Sequence, residues 1–375
     1  MLKTIFGKRT FMTVAAGMLA FSLAACGNSE ESGSKQGGKG SQDAGPVLTL
    51  EELAPLAKEE GKVVSVGMPD TWANWKDTWA DLTNKYGLEH SDTDMGSADE
   101  INKFAAEKNK PTADIGDVGI AFGPVAVEKG VTQPYKTQYW DEIPEWAKDK
   151  DGHWMVAYTG SIGILCNKEL VSKCPTSWAD MESATDYQIA LGDVIGAAQA
   201  QHVILAAAFA FGGDESNIQP GLDYFKRLAE KGRLSKVDIS VANIQKGEVA
   251  VGLMWDFNAL GNRDQLGPDK FEVAIPEEGS VISGYATIIN KYAPHPNAAK
   301  LARTYILSDE GQINLAKGYA RPIRSSVKLP AEVEAKLIPQ GEYKNTKPIK
   351  DYKVWENTVK ELSIKWQEEV QIHIK

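Results

Sequence analysis

The chain has 375 residues, 42% hydrophobic and 25% charged, which is long enough for two domains because single cores stop growing near about 250–300 residues. Its formal net charge is −10 and no Lys/Arg cluster exceeds two residues, which argues against a nucleic-acid partner. An acidic surface of this kind favours cationic solutes only weakly.

The first residues bear on compartment. Lys3, Lys8 and Arg9 precede an apolar run, Phe11 to Phe21, that is shorter than the roughly 20 residues a bilayer span needs. Leu23-Ala24-Ala25-Cys26 follows. This is the layout of a secretory signal peptide, and its ending resembles the bacterial lipobox. That resemblance implies cleavage before Cys26, lipid on that residue, and membrane contact through the anchor alone. Residues 26–46 are rich in Gly, Ser, Lys and Asp and read as a flexible tether. Two further cysteines, Cys166 and Cys174, either pair in an oxidising compartment or leave Cys166 buried as a thiol. Without a neighbouring His they make at best half a zinc site.

Folded sequence starts at Val47. Thr49 and Glu52 have capping-box spacing before a helical stripe, which Gly61 stops. Lys62 to Met68 reads as a strand and Trp75, Trp79, Leu82 and Tyr86 as a helix. Leu88 to Met95 reads as a second strand, and Ser97 with Glu100 as a second capping box. Ala113 to Gly119 is a third strand, so the opening pattern is parallel α/β. Trp154 to Asn167 is an almost uncharged run whose length suits a strand passing from one domain to another. A second α/β set follows. It comprises a strand at Tyr187–Leu191, helices at Ala197–Phe211 and Leu222–Lys231, and a buried strand at Val249–Met254. Phe271–Ile275 and Ser283–Ile289 bracket Pro276-Glu277-Glu278-Gly279, which reads as the return crossing. Helices then start at Pro296 and Ser308, and a last one carries Tyr352, Trp355, Val359, Leu362 and Trp366 on a single docking stripe.

Several stretches occur in order: Ser283-Gly284-Tyr285-Ala286-Thr287, His295-Pro296-Asn297-Ala298-Ala299-Lys300, Leu307-Ser308-Asp309-Glu310-Gly311-Gln312 and Tyr319-Ala320-Arg321-Pro322. Together with the lipobox and tether, this succession resembles family 1 extracellular solute-binding proteins of ABC importers, in the branch with polyamine, ferric-iron, thiamine and phosphonate binders. The resemblance implies a two-lobed, type II periplasmic-binding-protein-like α/β fold. It places a ligand cleft between lobes on a two-strand hinge, with a permease and its ATPase as partners. The implied division is residues 47–157 plus 284–350 for lobe 1, 158–283 for lobe 2 and 351–375 for a C-terminal docking helix. A monomer is expected.

Solutes meet α/β proteins at the carboxyl ends of strands. Those positions are Asp70, Trp72, Ser97 and Asp117 on lobe 1, and Thr159 and Ser161 on the crossing. On lobe 2 they are Asp193, Trp255 and Asp256, with Tyr285 on the return crossing. An indole and acids suit an ammonium, while Ser97 and the start of the Ala197 helix suit a phosphate-like group. The polyamine branch carries an acid where this chain has Gly284-Tyr285, which disfavours a long diamine. The absence of adjacent tyrosines disfavours iron. The expected cargo is a small amine-bearing or zwitterionic solute, such as a polyamine-like compound or an aminoalkylphosphonate. A ferric-iron or thiamine-type ligand, and in a different class a secreted enzyme, are the alternatives. No nucleophile elbow, zinc-ligand spacing or catalytic carboxylate pair stands out, so neither catalytic residues nor a cofactor nor a metal is assigned.

Overall fold

The computed structural model describes residues 46–375, so the leader and Cys26 lie outside the described residues. The first helix, α1 (Leu50–Glu60), starts at Thr49. Thr49 Oγ1 accepts from the Glu52 amide while the Glu52 carboxylate accepts from the Thr49 amide, the reciprocal cap expected from the spacing. Gly61 ends the helix at φ 71°, a left-handed conformation that costs a side-chain-bearing residue energy.

β1 (Lys62–Val66), α2 (Trp75–Tyr86), β2 (Glu89–Thr93), α3 (Ser97–Ala106), β3 (Ile115–Gly119) and α4 (Phe122–Glu128) then alternate. β1 pairs parallel with both β2 and β3, as the pattern predicts. The second capping box does not form. Gly96 occupies the cap position of α3, Ser97 Oγ accepts from the Gly119 amide at 3.0 Å, and Glu100 Oε2 accepts from the Asp117 amide at 3.1 Å. Both side chains are drawn away by β3, whose end arrives beside the helix start.

β4 (Trp154–Asn167) is buried at all fourteen positions, which an almost uncharged run allows. It is followed by α5 (Trp178–Ser183), β5 (Ile189–Ala190), α6 (Ala198–Ala210), α7 (Gln219–Glu230) and α8 (Val241–Gln245). β6 (Val251–Trp255), α9 (Asp256–Leu266), β7 (Phe271–Ala274) and β8 (Ser280–Ile289) come next. The first half of β4 pairs antiparallel with β8, which itself pairs antiparallel with β3. The second half of β4 pairs antiparallel with β6 and β7, and β5 lies parallel to β6. One long strand therefore runs from the sheet of the first lobe into that of the second, and β8 brings the chain back. The β4–β8 ladder carries a bulge: Val156 faces Ala286 and Tyr158 faces Tyr285, leaving Ala157 as the extra residue.

The chain continues through α10 (Pro296–Ile306), α11 (Asp309–Lys317), β9 (Arg321–Pro322), α12 (Ala331–Glu334), β10 (Thr346–Pro348) and α13 (Tyr352–Lys365). Pro296 sits in the first turn of α10, where its missing N–H costs nothing, and Ser308 Oγ caps α11 by accepting from the Gly311 amide. The stripe of α13 packs its Trp355 ring 5.6 Å from His202, and Trp366 lies 6.2 Å from Phe225. Arg303, wholly buried, donates to the carbonyls of Tyr135, Gly152, His153 and Thr287 and to Thr287 Oγ1. Cys166 and Cys174 form a disulfide, deciding the question their spacing leaves open. Among the described residues no helix is long and apolar enough to cross a membrane.

Candidate functional site

The lobes meet at an aromatic cluster. On the first lobe the chain leaves β1 through Pro69-Asp70-Thr71-Trp72, and Ala73 and Asn74 both adopt positive φ, 47° and 56°. Two successive left-handed residues with side chains are costly, and such strain persists only where surrounding contacts enforce it. Here Asn74 Nδ2 donates to Asp77 Oδ2 at 3.0 Å and to the Asn314 carbonyl at 2.9 Å. Gly318 lets this turn come close, since a Cβ there would lie 2.5 Å from the Ala73 carbonyl carbon. The turn throws Trp72 toward the crossing strands.

Trp72 Nε1 donates to Tyr158 Oη at 2.6 Å, and Tyr158 Oη donates to Asp117 Oδ2 at 2.9 Å. Tyr285 stacks on Tyr158 with ring centroids 5.5 Å apart. Phe257 closes the cluster from the second lobe, 5.5 Å from Trp72 and 6.0 Å from Tyr158. Trp255 stacks behind Phe257 at 6.3 Å, and His202 lies 5.1 Å from Trp255. Gly160 is required beneath Phe257, because a Cβ there would stand 2.6 Å from its ring. Gln199 Oε1 fixes the start of α9 by accepting from the Trp255 amide and from Asn258 Nδ2.

Beneath the rings lies a carboxyl without a base. Asp117 is 2% exposed, and its Oδ1 has no hydrogen-bond partner among the described residues. Burial pushes its pKa up to about 8; Tyr158 opposes the rise, and so does Trp75, which lies near but outside hydrogen-bond geometry. Burial also raises the phenols of Tyr158 and Tyr285, with the nearby Asp117 charge adding to both. His202 falls to about 4 for the same reason, and with Nδ1 on the Ala198 carbonyl it is a neutral ring.

The structure therefore gathers Trp72, Asp117, Tyr285 and Trp255 around one point, and it distributes the other sequence candidates elsewhere. Asp256 is buried, but its oxygens are already occupied by the amides of Ser161 and Phe257 and by the Tyr343 hydroxyl. Ser161 keeps an unpartnered hydroxyl there. Thr159 lines a cavity of about 1000 Å³ with Arg321 and Tyr343. Asp70 is exposed in a groove of about 630 Å³ between the lobes, with Asn258 and Lys317. Asp193 is exposed and turns its own loop by accepting from the Ile195 amide. Ser97 starts α3, and its Oγ accepts from the Gly119 amide. Sequence reading omitted Tyr158, Phe257, Trp75 and Glu100 from the site. An aromatic directly before Thr159 was the available signal for Tyr158. Among the described residues no group of three or more His, Cys, Asp or Glu is arranged to hold a metal ion.

This architecture has known counterparts. The periplasmic binding protein AfuA from Actinobacillus pleuropneumoniae, solved with fructose-6-phosphate, superposes with a TM-score of 0.64 at 23% identity, covering 83% of this chain and 98% of that one. The spermidine/putrescine substrate-binding protein PotD from Streptococcus pneumoniae gives 0.62 at 15% identity over 84% and 99%. A ferric binding protein from Campylobacter jejuni gives 0.62 at 19% over 82% and 98%. Likeness at these identities speaks for the two-lobed fold alone. In sequence, an uncharacterized protein of Haemophilus influenzae is 30% identical over 245 residues, 61% of this chain and 68% of that protein. A sulfate-binding protein of Escherichia coli matches at 30% over 82 residues, only 25% of its length. The profile of bacterial extracellular solute-binding proteins matches residues 110–347, which contain both crossing strands and the lobe-2 half of the aromatic cluster. The chain belongs to the bacterial extracellular solute-binding protein family.

Proposed function

We propose that this protein is the lipid-anchored receptor of an ABC importer, closing its lobes on a small amine-bearing or zwitterionic solute and presenting it to the permease and its ATPase. The observation that carries the cargo class is Asp117, a buried carboxyl with one unpartnered oxygen under a wall of aromatic rings. An ammonium would satisfy that oxygen, and ring faces attract cations, each by about 0.5–2 kcal/mol. The rings touch one another, so the solute enters by parting Trp72 from Phe257. Differential affinity for the closed arrangement then drives closure. Trp72, Asp117, Tyr158, Trp255, Phe257 and Tyr285 form the binding surface in this reading. Asp256 acts behind it by fixing Ser161 and Phe257. No step of chemistry on the solute is assigned, and the lipid on Cys26 is the sole membrane attachment of a monomer.

A thermal-shift panel of tetramethylammonium, putrescine, 2-aminoethylphosphonate, thiamine and ferric citrate tests this. A ligand at a hundred times its Kd adds about 2.7 kcal/mol to stability, so an amine should raise the midpoint by several degrees. No shift with any amine, together with turnover of a chromogenic ester, would overturn the receptor reading.

Ferric ion is the second reading. The fold stacks Tyr158 on Tyr285 beside Asp117, a pairing of tyrosines that sequence adjacency does not reveal. A visible tyrosinate-to-iron absorption band on adding ferric citrate, lost in Tyr158→Phe, would favour it.

A further inference from the structure

Asp117 is not alone under the cluster. Glu100 is 1% exposed and holds the Asp117 amide through its Oε2. The carboxyl of Glu100 fits only because two neighbouring residues lack side chains. A Cβ on Gly67 would stand 2.3 Å from one Glu100 oxygen, and a Cβ on Gly116 would stand 2.4 Å from the other. A glycine just past the end of β1 and one within β3 thus make room for a second buried acid directly behind the first.

Among the described residues, the groups around this pair supply no positive charge. β2 contributes Asp92, whose Oδ1 accepts from Ser65 Oγ and the Met68 amide, and His90, whose Nε2 meets Ser65 Oγ at 2.9 Å. Burial against Trp79 keeps His90 neutral, with a pKa lowered to about 4. Asp94 follows on the same side, exposed. β4 and β8 contribute the Tyr158 and Tyr285 phenols, and α2 contributes Trp75. Desolvation and the charge of Asp117 both hold Glu100 well above the ordinary carboxyl range, and no Lys or Arg pulls either acid down. Two buried carboxylates with no counter-ion are too costly to coexist ionised, so protons stand in for the missing cation.

Resting on the cleft reading above, we propose that the cleft exchanges a proton for its cargo. In the empty cleft Asp117 is a neutral acid kept so by burial without a counter-ion, and the positive charge of an entering monocation replaces its proton. The O–H bond of Asp117 breaks, the electron pair stays on the carboxylate, and the proton leaves to solvent as the cation takes its place. Loading is therefore net neutral for the buried site. The solute class follows: a compact monocation whose own charge does not titrate near neutrality, since a group that arrives neutral gives nothing in exchange. Glu100 is a positioning residue in this scheme. It holds the Asp117 amide rather than the solute.

Isothermal titration of the protein with tetramethylammonium and with methylammonium at pH 7, in phosphate and in HEPES, measures the proton balance. Release of close to one proton per cation supports the exchange, as does an affinity that falls about tenfold per pH unit below about 8. The infrared band of a buried neutral carboxyl should disappear on loading and be missing in Asp117→Asn. Because the Asp117 charge raises Glu100 and Glu100 adds nothing to the rise of Asp117, Glu100→Gln should retain binding and leave the pH profile and the proton release at pH 7 close to wild type; a large displacement of the profile would mean that Glu100, not Asp117, carries the exchanged proton. Cation binding of equal strength at pH 6 and pH 8 without proton release overturns the exchange and leaves the cleft reading standing. Failure of every cation to bind overturns both.

Discussion

Arg303 and Asp117 are both buried ionisable groups packed against the crossing strands, and they are treated in opposite ways. Arg303 faces carbonyls on every side and donates five hydrogen bonds. Asp117 accepts one from Tyr158 and keeps an oxygen without any partner. The first is a strut: its charge is spent on ordering the loops at Tyr135 and Gly152–His153 behind β8. The second stores an unmet demand beside the cleft, and in a binding protein such a demand is what cargo can satisfy. A satisfied buried ion reports on stability, an unsatisfied one on function.

Four substitutions put that contrast under load. Arg303→Met removes the donor to four carbonyls, of which Gly152 keeps the Tyr135 amide, and its cost should reach at least about 4 kcal/mol in a denaturant titration, the range of exceptional losses. If the variant unfolds with wild-type stability, the strut is not one. Asp117→Asn should do the reverse. It should weaken tetramethylammonium binding by about a hundredfold or more, the scale of removing one partner of a buried charge contact, yet raise the melting temperature of the empty protein. The sign follows from linkage. The raised Asp117 value means that the folded protein holds a proton that the unfolded chain gives up, so wild-type stability declines as pH rises from about 4 to about 8. The advantage of Asn should grow over that window and level off above it. Tyr343→Phe removes one of three donors to Asp256 and should cost about 1–3 kcal/mol of stability with little change in affinity at fixed temperature. Trp72→Ala has the smallest expected effect, about 0.5–2 kcal/mol of cation affinity measured calorimetrically. Loss of folding there would mean that Trp72 is core rather than cleft.

How much of this could be read from the sequence depends on how local the cause is. β4 was legible from end to end because a run of nearly uncharged residues leaves a strand few other places to go. The caps at Thr49 and Ser308 were legible because their partners lie three residues away. The box at Ser97 failed for the complementary reason: β3 arrives from some twenty residues on and outbids the local bond. In the candidate cluster, Trp72, Asp117, Trp255 and Tyr285 are legible as strand-end residues. Asp256 is occupied by Tyr343, 87 residues away, and no spacing rule reaches that far. Glu100 looked like a cap because its burial depends on Gly67 and Gly116 lying empty beside it. The Cys166–Cys174 bond stayed open because a separation of 8 residues permits pairing without dictating where the two backbones go.

The bulge at Ala157 has a consequence for how the cleft is lined. Side chains on a strand alternate between faces, so every residue of β4 after the bulge owes its side of the sheet to that one extra position. With the bulge, Tyr158 and Gly160 share a face with Tyr285 and floor the cleft with an aromatic ring. One residue inserted in β8 between Tyr285 and Ala286 would pair off Ala157, turn Tyr158 to the reverse face, and floor the cleft with Thr159 instead. The same insertion would turn every later residue of β4, including those paired with β6 and β7, to its opposite face, so that one extra position sets the facing of the second lobe's sheet as well as the side chain that floors the cleft.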